Sequence, residues 1–335
     1  MKKTGLGAMA AILMLTTACE GRKDYQRMEG MIWNTLYHIT FEGPRELEDS
    51  VMPVLEEVGK SLSVFDENSL VSKLNAGDSI KADKHMLKVY AKSIEVNRIS
   101  KGNFDPTVSP LVTAWGFGPG HTATADTTTI DSILVYVGIN RTMLKDGQII
   151  KADPRVQFNF SAIAKGYGCD AVGEMLKRNG VNNYMVEIGG EIAMSGKSPS
   201  GGKWQIAIDA PVEDKGGTHE TALVIAVTDA GMATSGNYRN FKEENGNKTA
   251  HTISPVTGRP FFSNILSATV VAPSCMDADA LATACMASEE EDAKEILRKS
   301  GTEGLLIFAD SVWMTPGFEK MVISKASEPG RKDRN

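Results

Sequence analysis

Residues 160–191 read FSAIAKGYGCDAVGEMLKRNGVNNYMVEIGGE. Ile163, Tyr167, Ala171 and Met175 recur at three- to four-residue spacing, so the stretch opens with an amphipathic helix that ends near Gly180. A strand-like run at 184–188 then meets Gly189-Gly190, which signals a sharp bend or a ligand lying against backbone. The order of elements downstream decides the fold class. Strand-like runs at 204–208 and 222–228 come next with no helix between them. Two more, at 266–272 and 304–308, enclose helical patterns near 277–287 and 289–299. Strands and helices do not alternate strictly. The expectation is therefore α+β, a single domain with a mixed or antiparallel sheet and flanking helices, rather than a doubly wound parallel sheet.

Upstream, the aromatic and β-branched residues of 31–39 predict a strand. Leu47, Val51, Leu55, Val58 and Leu62 predict a helix over 45–62, and Met86, Tyr90 and Ile94 another over 84–100 that Gly102 ends. The Gly, Pro and Thr content of 116–129 predicts an exposed loop. Asp146-Gly147 and Asn245-Gly246 each predict a hairpin turn, the second leading into a strand that carries His251. The domain is expected to cover 30–325, with a polar tail over 326–335.

The N-terminus carries a separate signal. Lys2 and Lys3 precede an apolar run from Gly5 to Leu15, too short to remain as a membrane span, and Thr16-Thr17-Ala18-Cys19 comes directly after it. This pattern predicts a lipoprotein signal peptide over 1–18, lipidation of Cys19, and a polar tether over 19–29. The alternative is an ordinary signal peptide cut near Ala18. Either way the chain is expected on the extracytoplasmic side, and with lipidation it is anchored to the bacterial membrane. The net charge is -6 and no Lys/Arg-rich block stands out, which argues against a nucleic-acid partner. Cys169, Cys275 and Cys285 form no metal-site or redox spacing and read as small buried hydrophobes.

Five segments are richer in chemistry than a core requires. Asp105-Pro106-Thr107, after a helix stop, makes a rigid turn with a carboxylate and a hydroxyl; alone it reads as structural. Ser161-Ala162-Ile163-Ala164-Lys165-Gly166 places small residues and a lysine at a helix start, where unpaired N–H groups favour an anion, although the spacing is not a Walker A loop. Ile188-Gly189-Gly190-Glu191 is a weaker hint. Thr234-Ser235-Gly236 is joined by the predicted hairpin to His251, a natural general base, though no nucleophile elbow is present. Asp279 and Thr283 lie four apart on one helix face and offer the hard oxygen donors that Mg²⁺ prefers. Asp277 has a plainer reading, since Ser274-x-x-Asp277 is a helix-start capping pattern.

Together these segments resemble the ApbE family of FAD:protein FMN transferases, from about Met31 to Val322. The matching blocks are Ser61-Leu62-Ser63-Val64-Phe65-Asp66 with Ser69 and Asn75; Phe104-Asp105-Pro106-Thr107; Ile163-Ala164-Lys165-Gly166-Tyr167; and Ile188-Gly189-Gly190-Glu191. They continue with Thr234-Ser235-Gly236, His251-x₃-Pro255-x₂-Gly258-x-Pro260, and Ala278-Asp279-Ala280-Leu281-Ala282-Thr283. The resemblance implies metal ligation by the Ala162 carbonyl, Asp279 and Thr283. It implies FAD contacts from Met31, Phe65, Ser69, Leu70, Val71, Asp105, Lys165 and Ile253, and a catalytic base at His251. The chain departs from the family at Asn159-Phe160-Ser161-Ala162, where Asp-Leu-Gly-Gly is usual, at Ile32-Trp33-Asn34, where Gly-Thr is common after the methionine, and at Asn237, a frequent Asp.

The implied reaction is Mg²⁺-dependent transfer of FMN from FAD to a threonine hydroxyl with release of AMP. The implied acceptor is a flavoprotein subunit of a membrane redox complex of the NADH:quinone or Rnf type. Hydrolysis of FAD to FMN and AMP would use the same residues, and a flavin-binding lipoprotein without turnover is the reading from another class.

Overall fold

Two eight-residue strands, β1 (Tyr25–Ile32) and β2 (Thr35–Glu42), form the first antiparallel hairpin in a computed structural model that describes residues 24–116, 126–211, 221–236, 241–244, 247–250, 252–261 and 263–325. The segment expected to be tether up to residue 29 thus enters the sheet from Tyr25, and the strand expected at 31–39 is two strands. The reason is physical. β1 is an edge strand with every residue exposed or half-buried, so its composition is that of a solvated segment. The signal peptide, Cys19 and the 326–335 tail lie outside the described residues.

Helix α1 (Glu48–Leu62) buries Val51, Leu55, Val58 and Leu62, as its spacing requires. After it come α2 (Leu70–Ala76), α3 (Lys84–Ile99), α4 (Ser109–Ala114) and α5 (Thr127–Leu134), then the hairpin β3 (Thr142–Lys145)–β4 (Gln148–Lys151) around Asp146-Gly147. The loop expected over 116–129 gives way to α5 from Thr127. Asp126 caps it by accepting the Thr129 N–H at 2.7 Å, and 117–125 lie outside the described residues.

Helix α6 (Ala164–Arg178) leads into β5 (Tyr184–Ile188) and β6 (Glu191–Ser195), joined by Gly189-Gly190 with φ 63° and 100°. Those left-handed values are what a two-residue hairpin turn demands. Next are β7 (Trp204–Asp209), β8 (Thr221–Val227), β9 (Ala230–Gly236) and the paired β10 (Phe241–Glu244) and β11 (Asn247–Ala250). Asn245, Gly246 and His251 lie outside the described residues. The chain ends through β12 (Ser267–Ala272), α7 (Cys275–Met286), α8 (Glu290–Ser300), β13 (Glu303–Ile307), β14 (Val312–Met314), α9 (Pro316–Glu319) and β15 (Val322–Lys325).

The main sheet runs β1-β2-β5-β6-β9-β12-β13-β14 with every pair antiparallel, and a second antiparallel sheet runs β15-β8-β7. Three layers result. Helices α1, α3, α6, α7 and α8 cover one face of the main sheet. Ile206, Ile208, Leu223 and Ile225 of the small sheet pack on the other, against Ile192, Met194, Met232, Val271 and Leu305. β6 and β12 are buried at every position because both their faces are covered. Helix α7 is buried nearly all round, and its alanines at 278, 280, 282 and 284 let it lie close to the sheet. This puts Asp279 inside the protein. Among the described residues no helix is long and apolar enough to cross a membrane.

Candidate active site

The segment 158–166 gathers most of the sequence blocks. Asn75 holds Phe158 at both backbone atoms, accepting its N–H at 2.7 Å and donating to its carbonyl at 2.8 Å. The Asn159 N–H donates to the Pro106 carbonyl at 2.7 Å, which ties on the Asp105-Pro106-Thr107 turn. Asn159 Oδ1 accepts the Ser161 N–H at 2.9 Å, an Asx turn that an aspartate would also make. The departure at Asn159 therefore keeps the local geometry of the entry to α6.

At the start of α6, the chain meets α7. The Gly166 N–H donates to Asp279 Oδ2 at 3.0 Å. A Cβ on Gly166 would lie 2.3 Å from the Cys275 carbonyl oxygen and 2.8 Å from Asp279 Cβ, so only glycine permits this approach. One residue earlier, Lys165 Nζ lies 2.5 Å from Glu191 Oε2, at the first position of β6. Asp279 is 3 % exposed and Glu191 4 %. Burial raises the Glu191 carboxyl, the Asp279 charge raises it further, and Lys165 opposes both. Burial also raises Asp279, against Lys165 and the Gly166 N–H. For Lys165, burial disfavours the charge, but Glu191 and Asp279 outweigh it and hold the ammonium above its ordinary range.

Among the described residues, two buried carboxylates thus face one ammonium. Burial resists the ionisation of both, and a divalent cation beside them would favour it. Thr283, one turn along α7 from Asp279, has its hydroxyl 3.4 Å from Ser235 Oγ, and Thr234 Oγ1 lies 2.9 Å from Thr269 Oγ1. Of these β9 hydroxyls, Ser235 meets the Asp279/Thr283 face, whereas Thr234 pairs with β12. Ala162 is half-buried in the turn that precedes α6. A carboxylate, a hydroxyl and a backbone carbonyl are hard oxygen donors that fit Mg²⁺. Among the described residues no cluster of three His, Cys, Asp or Glu offers a softer site. Asp277 takes the capping role, with its N–H donating to Ser274 Oγ at 3.1 Å and its carboxylate beside Lys92 Nζ at 2.7 Å.

Beside Lys165 opens an apolar pocket of about 290 Å³, lined by Trp33, Val58, Leu62, Val64, Phe65 and Ala164 among others. Trp33 sits in the β1–β2 turn with φ 50°, in the left-handed region that costs a bulky residue about 1–2 kcal/mol. A Cβ on Gly168 would meet its ring at 2.5 Å, and one on Gly59 at 3.0 Å. The ring is wedged between α1 and α6 as one wall of the pocket. Sequence reading passes over Trp33 except as a departure from the family pattern. Phe65 is exposed and forms the rim, and Met31, also exposed, lies two residues before Trp33.

The remaining expected contacts are less open. Ser69 caps α2, accepting the Ser72 N–H and donating to the Ser63 carbonyl at 2.7 Å, while Val71 is buried in the core and Leu70 packs against it. Asp105 is buried with four donors on its carboxylate: the Thr107 N–H and hydroxyl, the Ile139 N–H and the Asn97 amide. Ile253 is buried in a satellite core with Leu111, Ala114, Ile130 and Val137. None of these side chains lines the pocket beside Lys165. His251 lies outside the described residues, as does Asn237.

The profile of the ApbE family matches residues 33–306. A FAD:protein FMN transferase of Haemophilus influenzae is 33 % identical, over 97 % of this chain and 100 % of that one. A FAD:protein FMN transferase of Vibrio cholerae is 34 % identical, over 90 % and 92 %. Among solved structures, the flavin transferase ApbE from Vibrio cholerae superposes with a TM-score of 0.79 at 31 % identity, covering 89 % of this chain and 99 % of that one. The apo flavinyl transferase ApbE of Pseudomonas stutzeri gives 0.80 at 27 % identity, over 89 % and 96 %.

Proposed function

This chain belongs to the ApbE family, and from that premise we propose that it is a FAD:protein FMN transferase, moving FMN from FAD to a threonine hydroxyl of an acceptor flavoprotein. The observation that carries the proposal is the junction of α6 and α7, where Lys165, Glu191 and Asp279 meet beside an apolar pocket. A dinucleotide with a pyrophosphate between two ring systems needs both halves of that arrangement.

Asp279, Thr283 and the Ala162 carbonyl hold Mg²⁺ in this proposal. Bound there, the ion would neutralise pyrophosphate oxygens. Lys165 supplies a second positive charge, and Glu191 keeps its ammonium protonated and aimed. Trp33 and Phe65 offer aromatic faces for one ring of FAD, and Met31 stands exposed two residues before Trp33. Ser69, Leu70, Val71, Asp105 and Ile253, implied as FAD contacts by the resemblance, do not line this pocket. His251 takes the proton of the acceptor hydroxyl. The threonine oxygen bonds to the phosphorus on the FMN side, the pyrophosphate P–O bond breaks, and AMP leaves with the electron pair.

The N-terminal pattern supports a finer reading. Cys19 is lipidated after removal of residues 1–18, so the enzyme is anchored on the extracytoplasmic face of the bacterial membrane. Its acceptors are subunits of membrane redox complexes of the NADH:quinone or Rnf type.

Mass spectrometry of an acceptor domain tests the reaction, after incubation with the purified protein, FAD and Mg²⁺. The expected result is one FMN on a threonine, absent when Mg²⁺ is chelated. Free FMN and AMP with an unmodified acceptor would replace transfer by hydrolysis, and intact FAD would leave a binding protein.

A further inference from the structure

Asp170 belongs to α6, one turn beyond the residues that meet Asp279, and the reaction outlined above does not use it. Its two carboxylate oxygens reach across to α7. Oδ1 accepts the Cys275 N–H at 2.9 Å and Oδ2 accepts the Met276 N–H at 2.8 Å. These are the first two N–H groups of the helix that carries Asp279 and Thr283. The rest of that first turn is satisfied from within its own segment. Ser274 Oγ takes the Asp277 N–H at 3.1 Å, and the Ser274 carbonyl takes the Ala278 N–H at 3.1 Å. The Ser274 cap stabilises α7 as a helix but does not say where α7 stands relative to α6. Asp170 does, because it is a side chain of the neighbouring helix.

The relative position of the two helices matters at the metal. Ala162 lies on the lead into α6, whereas Asp279 and Thr283 lie on α7. Mg²⁺ demands near-ideal octahedral geometry at short distances, so donors from two helices must be registered to a fraction of an ångström. Two devices fix that register. The Gly166 backbone lies against Cys275 and donates to Asp279, and Asp170 grips the α7 terminus on the next turn. We propose that Asp170 is a positioning residue, which sets the affinity for Mg²⁺ by locking α7 onto α6. The proposal rests on the reading of Ala162, Asp279 and Thr283 as the Mg²⁺ ligands.

The test is calorimetric titration of the purified protein with Mg²⁺, beside FAD binding followed by flavin fluorescence in Mg²⁺-free buffer. In Asp170→Asn the amide replaces one acceptor by a donor, so one of the two N–H groups loses its partner. The dissociation constant for Mg²⁺ is expected to rise about 10- to 100-fold, the range typical of residues that orient metal ligands. FAD affinity without metal is expected to stay within about threefold of the parent, since Asp170 lies away from the pocket beside Lys165. Ser274→Ala is the control for helix capping alone, expected to lower the melting temperature and leave the Mg²⁺ constant unchanged. Asp170→Glu, which keeps the charge but lengthens the grip, serves if the Asn variant does not fold, and is also expected to weaken Mg²⁺ binding. A folded Asp170 variant that binds Mg²⁺ like the parent overturns the positioning role. A parent that binds no Mg²⁺ overturns the ligand reading beneath it, and the positioning role with it.

Discussion

Asp105 and Asp279 are both buried aspartates in segments rich in Gly and Thr or Ala, and burial raises both carboxyls above the ordinary range. They differ in what their oxygens meet. Asp105 accepts from the Thr107 N–H and hydroxyl on one oxygen, at 2.8 and 2.6 Å, and from the Ile139 N–H and Asn97 amide on the other, at 2.8 and 3.1 Å. Four neutral donors close a turn around it. Asp279 accepts one backbone N–H and otherwise feels the charge of Lys165 and shares its surroundings with Glu191. Burial alone does not mark a reactive carboxylate. A carboxylate saturated by neutral donors holds the chain in shape, whereas one set among ionised groups has interactions left to give.

The largest effect expected from this contrast is that of Asp279→Ala. Loss of the proposed metal ligand would remove several kcal/mol of transition-state stabilisation, so FMN transfer should fall by at least about 10³-fold. Stability should change by less than about 2 kcal/mol, because a buried charge disappears along with one hydrogen bond. Transfer assays and denaturant titration of the same preparation check the pair of outcomes. Wild-type transfer in this variant would break the contrast. Next is Asp105→Ala, which strands the donors of Thr107, Ile139 and Asn97. Here stability should fall by roughly 3–5 kcal/mol, while Mg²⁺-dependent release of AMP by the folded fraction at low temperature stays within about tenfold. Denaturant midpoints and AMP release measured side by side decide it.

Asp170 sharpens the contrast from between the two. Burial pushes its carboxyl up to about 6 from an ordinary 3.8, against the pull of the Met276 and Cys275 N–H donors. A raised acid pKa means the folded state binds the proton more tightly than the unfolded one. Between about pH 4 and pH 6 the unfolded chain has released this proton and the folded chain has not, so stability from this group falls as pH rises through that window. Relative to Asp170→Asn, the parent should lose on the order of 2–3 kcal/mol over the window. Urea denaturation of both proteins at pH 4.5, 5.5 and 6.5 measures the difference, and a constant gap would remove the shift.

The sequence is most legible where packing leaves a period. The helices α1, α3 and α6 and the strands β5, β7, β8, β12 and β13 lie within a few residues of where the sequence predicts them, because each shows a helical stripe or a compact β-forming run. β6 (EIAMS) and β9 (AGMATSG) escape sequence reading. Both are central strands pressed between layers, where small residues replace the alternation that a half-exposed strand would show. β1 escapes it for the opposite reason, being an edge strand with every residue exposed or half-buried and no clean alternation of apolar and polar residues. At the site, Lys165, Asp279 and Thr283 are legible from their motifs. Glu191 reads only as the end of a Gly-Gly bend, and Asp170 gives no signal. Its partners stand 105 and 106 residues away, and nothing local distinguishes it from any helical aspartate.

The edge strand β1 also acts as a ruler. It starts at Tyr25, six residues after Cys19, and ends at the turn that places Trp33 in the wall of the pocket. Six residues of fully drawn-out chain span at most about 20 Å, and the eight residues of β1 add about 27 Å. A lipid on Cys19 would therefore work as a short leash. It would let the enzyme swing and tilt, but the pocket could rise no higher than about 50 Å above the bilayer surface, the sum of those two lengths. An acceptor would have to present its threonine within that shell, which favours clients that are themselves held at the membrane.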